Sequence, residues 1–187
     1  MTFADRPSAL RIKAFAQAQA TLEGSTPLQQ FERLWADCVQ EPAQEPAQEP
    51  SQVDWTARGF TKTDTGGTEH IWLHLQAQAS VPLICQRCLK PVQVALQVAR
   101  DFRFVPDEAT ALAEDDESPE DLLVLSPEFD LLSLLEDELL MDLPLVPMHE
   151  ICDSEHLHTK SGPMDEDVAE KPNPFAVLAA LKAKQGD

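Results

Sequence analysis

His70-Ile71-Trp72-Leu73-His74-Leu75-Gln76-Ala77-Gln78-Ala79-Ser80-Val81 is the stretch that decides the fold. Ile71, Leu73, Leu75, Ala77, Ala79 and Val81 fall on one side of a two-residue period. His70, His74, Gln76, Gln78 and Ser80 fall on the other. Successive side chains of a strand point to opposite faces, so this alternation reads as a strand with one face on a core and one in water. The period resumes after Cys85-Gln86-Arg87-Cys88-Leu89-Lys90-Pro91, where Val92, Val94, Leu96, Val98, Phe102 and Phe104 share a face that only Arg100 interrupts. Two such strands about a short loop predict an antiparallel hairpin over residues 69–104. His70 and His74, on the polar face, read as exposed sheet residues rather than ligands.

Upstream, Val53, Trp55 and Ala57 alternate in a further strand that turns at Gly66-Gly67. Residues 41–52 read EPAQ-EPAQ-EPSQ; repeated proline removes backbone donors, and an extended, exposed linker is expected. Residues 1–40 read as an N-terminal helical segment packing on the core. Its first helix is expected from Ala9 to Leu22. Its second starts at Ser25-Thr26-Pro27, a hydroxyl cap followed by proline, with Leu28, Phe31, Leu34, Trp35 and Cys38 on one apolar face.

Downstream, residues 106–120 read as a mobile acidic loop and Leu122 to Leu125 as a short strand. A helix follows near 130–141, started by Ser126-Pro127 or Asp130 and stopped by Pro144, with Leu132, Leu135, Leu139 and Leu143 on its apolar side. Glu136, Asp137 and Glu138 are adjacent, a poor geometry for an acid/base pair, and a solvated helix face is expected there. The 149–171 stretch is expected to be mobile. Asn173-Pro174 opens a C-terminal helix over 174–184. The expected architecture is α+β: an antiparallel sheet packed with the N-terminal helices and the 130–141 helix, in a core spanning residues 53–187.

The formal net charge of the 187-residue chain is -19, unevenly spread. Residues 1–105 are nearly balanced, whereas between Pro106 and Asp142 there are 14 acids and no base. A surface of that sign repels polyphosphate, so the N-terminal half is the better face for RNA and the acidic half suits a basic protein. No run is long and apolar enough to span a membrane and the N-terminus has no export signal, so a cytoplasmic location is expected.

Catalytic signatures do not occur. The 6 glycines form no phosphate cradle, and neither G-x-S-x-G nor H-E-x-x-H is found. The chain therefore reads as non-catalytic, with no evident small-molecule substrate. One constellation carries chemistry. Cys85 and Cys88 form a C-x-x-C in the hairpin loop, and His149 and Cys152 form a second close pair; together they are a donor set complete for structural zinc. Paired thiols without metal, and thioredoxin-like redox chemistry, are the competing readings. A redox C-x-x-C opens a helix, whereas Pro91 and the resumed alternation argue for a hairpin here.

The Cys85–Pro91 loop resembles the C-x-R-C hairpin of the YceD family. Asp130-Leu131-Leu132 through Glu136-Asp137-Glu138 to Leu143-Pro144-Leu145-Val146-Pro147-Met148-His149 is similar to that family's second signature, and Lys171-Pro172-Asn173-Pro174-Phe175-Ala176-Val177-Leu178 to its C-terminal motif. The resemblance implies a ribosome-biogenesis factor supporting synthesis, processing or stability of 23S rRNA, with rRNA or ribosome-assembly proteins as partners. It marks Cys85, Arg87, Cys88, Glu136, Asp137, Glu138, His149 and Cys152 as positions to test. Charge placement adds Arg87 and Lys90 at the hairpin tip as candidates for touching RNA or a partner. The rival readings are an acidic module for a basic ribosomal protein and a thiol redox protein using Cys85 and Cys88.

Overall fold

A computed structural model describes residues 7–40 and 51–152. Most of the EPAQ repeat, the 153–171 stretch and the expected 174–184 helix lie outside the described residues. The chain divides into Met1–Cys152 and Asp153–Asp187, and everything below belongs to the first unit.

The hairpin is present as read. Strand β3 (Glu69–Ile84) pairs antiparallel with β4 (Pro91–Val105), Ile71 opposite Phe104 and Ile84 opposite Pro91. Strand β2 (Gln52–Thr63) pairs antiparallel with β3 after a turn in which Gly67 takes φ +85, a conformation glycine adopts without strain. The sheet has five strands in the order β1-β2-β3-β4-β5. Strand β5 (Asp121–Val124) matches the expected Leu122–Leu125 segment and runs parallel to β4.

Strand β1 corrects the sequence reading. The first helix, α1 (Ile12–Gln17), stops well short of Leu22, and Thr21–Pro27 is a strand antiparallel to β2. The helix ends because Gln19 adopts φ 51, its N–H donating to the Ala16 carbonyl and the Ala20 N–H to that of Phe15. That pair of bonds is the left-handed stop usually made by glycine. Ser25-Thr26-Pro27 is thus the end of a strand and not a helix cap. The second helix, α2, covers only Glu32–Asp37, after a single helical turn at Leu28–Gln30. Leu28, Phe31, Leu34 and Cys38 are buried as the spacing predicts.

Helix α1 packs on β2 and β3, α4 (Leu131–Met141) on β3 and β4, and α2 on α4, leaving one sheet face toward the helices. Gly59 lets α1 approach: a Cβ there would lie 2.5 Å from the Phe15 ring and 2.9 Å from the Ala16 Cα. In α4 the fully buried side chains are Leu131, Leu135 and Leu139, with Leu132 and Leu143 only partly covered. Each buried leucine contributes roughly 1.5–3 kcal/mol of transfer free energy. Asp130 caps the helix, its carboxylate accepting from the Ser133 N–H at 3.0 Å.

The acidic 106–120 segment is also corrected from a loop. Helix α3 covers Glu108–Glu114, and the Asp107 carboxylate caps it by accepting from the Thr110 N–H at 2.8 Å. Arg103, on the outer face of β4, holds this segment to the sheet through Glu114 at 2.7 Å and Glu120 at 3.6 Å. Among the described residues no helix is long and apolar enough to cross a membrane.

Candidate metal centre

Strand β3 delivers Cys85 to the hairpin tip and β4 departs at Pro91. The tip is a tight knuckle: the Cys85 N–H donates to the Lys90 carbonyl at 3.0 Å, and the Leu89 N–H to the Cys85 carbonyl at 2.9 Å. The turn needs Leu89 at φ 59, a left-handed conformation that costs a leucine about 1–2 kcal/mol. It brings Cys85 and Cys88 to one side of the loop.

The second pair arrives from the chain beyond α4. After Pro144 breaks the helix, the segment folds back over the knuckle, where the Gln86 N–H donates to the Pro147 carbonyl at 2.9 Å. The donor atoms of Cys85, Cys88, His149 and Cys152 all lie within 4.8 Å of one another. The Cys85 and Cys152 sulfurs are 3.6 Å apart, and His149 Nδ1 is 3.4 Å from Cys88 Sγ and 3.9 Å from Cys152 Sγ. A tetrahedral ion with zinc–sulfur bonds of ~2.3 Å spaces its donors by roughly 3.5–3.8 Å. These three separations are close to those of a four-coordinate metal site, and the four donors together could hold one ion.

Two further groups orient these donors. His149 Nε2 lies 3.0 Å from the Pro91 carbonyl oxygen. A carbonyl only accepts, so Nε2 carries the proton and the Nδ1 lone pair faces the thiols, the arrangement metal-ligating histidines use. Arg87 Nε donates to Cys152 Sγ at 2.9 Å, and its Nη2 to the carbonyls of His149 at 2.8 Å and Glu150 at 3.3 Å. The sequence reading placed Arg87 as a tip cation; the structure engages its guanidinium in binding the two halves of the cluster together. Lys90 is exposed on the same tip.

The thiols differ in acidity. Burial pushes Cys85 up, but N–H groups of Cys88, His149 and Arg87 aimed at its sulfur outweigh this and bring it down to about 5. For Cys88, a hydrogen bond from the Lys90 N–H acts downward, and burial together with the neighbouring Cys85 and Cys152 sulfurs leaves it raised. The Arg87 guanidinium is raised by its hydrogen bond to Cys152.

The acidic triad of α4 is not part of this centre, nor is it the solvated face the sequence predicts. The Glu136 carboxylate is buried and accepts from the backbone N–H groups of Arg33 at 2.7 Å and Leu34 at 3.2 Å. It therefore caps α2, whose own N-cap residue, Phe31, offers no side-chain bond. Arg33 also donates to Glu136 through Nε at 3.0 Å and to Asp137. Glu138 is buried, with Arg100 Nε 3.5 Å away. Of the three, only Asp137 is open to a partner. His70 and His74 lie on the outer face as read, facing Asp64 at 3.0 Å and Asp101 at 2.6 Å.

A five-stranded α+β protein with a Cys3His cluster clasped between a hairpin tip and a helix-exit segment is the class that fold and site define. Residues 73–182 match the family described as large ribosomal RNA subunit accumulation protein YceD, and the chain belongs to that family. One relative, the large ribosomal RNA subunit accumulation protein YceD of Haemophilus influenzae, is 42% identical over 115 residues. The match covers 58% of this chain and 64% of the relative, so the chain spans less than two thirds of that protein's length. No solved structure matches.

Proposed function

We propose that this chain is a non-catalytic ribosome-biogenesis factor that supports accumulation of 23S rRNA, and that its Cys–His cluster holds a structural zinc ion. Membership of the YceD family carries the first half. The convergence of four donors from two distant segments, with the histidine tautomer fixed by the Pro91 carbonyl, carries the second.

Zinc would cross-link the hairpin tip to the segment beyond α4, a stabilising role. Cys85, Cys88 and Cys152 would bind as thiolates and His149 through Nδ1. Three thiolates exceed the charge of a divalent ion by one, and the Arg87 guanidinium on Cys152 offsets that excess. All four positions are filled by protein donors, which leaves none for a reacting water, and this supports a structural role over a catalytic one. A low Cys85 pKa suits a ligand thiolate. Thiol exchange is disfavoured by the fully buried Cys85 and by the hairpin setting. The free thiols fit the reducing cytoplasm, the compartment we assign.

The test has two arms. Depleting the protein in cells should lower large-subunit rRNA and large ribosomal subunits relative to the small-subunit rRNA, with restoration on complementation. Unchanged ratios would refute the rRNA role. Protein purified without chelator should carry stoichiometric zinc, lost on Cys88→Ser, and its absence would refute the metal.

A further inference from the structure

No buried side chain anchors the segment that completes the metal site. From Pro144 to Cys152 no residue is buried; Pro147, His149 and Cys152 are half-covered and the others are exposed. Leu145, Val146, Met148 and Ile151 stand in solvent, so seating this segment removes little apolar surface from water. What holds it is polar and concentrated on the hairpin tip. The Gln86 N–H donates to the Pro147 carbonyl at 2.9 Å. Arg87 donates to the carbonyls of His149 and Glu150 and to the Cys152 sulfur, and His149 Nε2 donates to the Pro91 carbonyl. The Arg87 and His149 bonds lie in exposed surroundings. A hydrogen bond open to water replaces bonds that both groups make with water, and returns little. Fixing the backbone costs conformational entropy at every residue of the segment. The balance runs against a seated segment unless a stronger hold is added, and a metal joining Cys85, Cys88, His149 and Cys152 supplies it.

The rest of the first unit does not depend on that hold. Among the described residues, every buried apolar side chain lies at or before Leu139. The β3–β4 pairing reaches Ile84 opposite Pro91 without the segment, and of the four donors only Cys85 is buried. We propose that residues 144–152 form a metal-gated strap: zinc in the cluster seats the strap on the hairpin tip, and loss of zinc releases it while the sheet and helices stay folded. The inference rests on the zinc reading of the site and adds what the metal controls. Release also returns the Arg87 guanidinium to solvent, because its partners at His149, Glu150 and Cys152 all belong to the strap. Zinc supply thereby sets what the hairpin tip presents.

Amide hydrogen exchange on the full chain tests this in three states: loaded with zinc, stripped by chelator under reductant, and reloaded. Zinc content is measured on each sample. Stripping should abolish protection at the amides of Met148, His149, Glu150, Ile151 and Cys152, and at Gln86, whose N–H is covered by the strap carbonyl of Pro147. Protection in β2, β3 and β4 should persist. The emission of the 3 tryptophans, Trp35, Trp55 and Trp72, should stay native, since all lie outside the strap. Reloading should restore the strap amides. A chain carrying both His149→Ala and Cys152→Ser, whose strap offers no ligand, should leave the strap unprotected at any zinc concentration, with the same native emission. Strap protection that survives stripping, or that the double variant retains, overturns the inference. So does loss of protection throughout the sheet, which would make the metal a requirement of the whole fold. The two levels separate by zinc content. If zinc is stoichiometric but its removal leaves the strap protected, the strap inference alone fails and the metal stands. If the wild-type chain binds no zinc, the metal reading fails and the strap inference with it.

Discussion

Replacing Glu136 by alanine should unfold this protein far more readily than its place in a run of three surface-looking acids implies. The carboxylate caps α2 from another helix, accepting from the Arg33 and Leu34 N–H groups. Loss of a helix cap costs about 1–2 kcal/mol. The Leu34 N–H is also left in the interior without an acceptor, which adds roughly 1–3 kcal/mol. The two penalties overlap, so about 2–4 kcal/mol is expected. The side-chain ion pair adds little, because Arg33 is 51% exposed and solvent screens it. Urea unfolding followed by tryptophan fluorescence, with equal metal loading, measures the loss. Glu136→Gln, whose amide oxygen still accepts, should lose much less, and Arg33→Ala should leave most of the stability intact. An alanine variant within about 0.5 kcal/mol of wild type, the range of ordinary surface substitutions, would refute the capping argument.

Arg87→Ala should lower zinc affinity about ten- to hundredfold in competition with a chromogenic chelator, with lysine restoring part of it; an unchanged affinity would show that the guanidinium does not support the cluster. Glu138 has its carboxyl raised, chiefly by burial, with Arg100 opposing and Asp121 and Asp137 reinforcing. The folded state therefore holds that proton to higher pH than the unfolded chain, and Glu138 subtracts stability as pH rises from its unfolded value toward its folded one. Relative to Glu138→Gln, wild type should thus lose stability as pH climbs from about 4.5, read from paired urea midpoints, and a pH-independent difference would contradict it. Gly59→Ala should destabilise by roughly 1–3 kcal/mol in thermal unfolding, because the added carbon meets Phe15 and the α1 backbone. Cys38, raised to about 11 by burial and the Asp37 charge, should resist iodoacetamide at pH values where an exposed thiol reacts.

The hairpin was legible because its cause is local and periodic: alternate residues either meet the core or do not, and Leu73, Leu75 and Leu96 are buried where the alternation puts them. The same holds for the apolar face of α2 and for the Asp130 start of α4. Strand β1 was not legible. Thr21–Pro27 carries a weak pattern, and what makes it a strand is the edge of β2 offered to it after α1 stops. That stop rests on Gln19 in a left-handed conformation, where the usual sequence signal is glycine. Helix α3 was missed for a related reason: composition dominated by acids reads as loop, whereas the Asp107 cap and the hold of Arg103 on Glu114 make a short helix there.

By itself the sequence determined which atoms could hold a metal and which face of β2, β3 and β4 enters the core. Donor type and strand period are properties of residues and their near neighbours. Tertiary structure decided that Cys85 and Cys152, 67 residues apart, come within 3.6 Å of each other. It also decided that Arg87 serves the cluster and that Glu136 and Glu138 point inward. Each depends on where α4 lands against the sheet and on the chain that leaves it, a packing outcome set by the whole core at once and encoded in no single stretch of the chain.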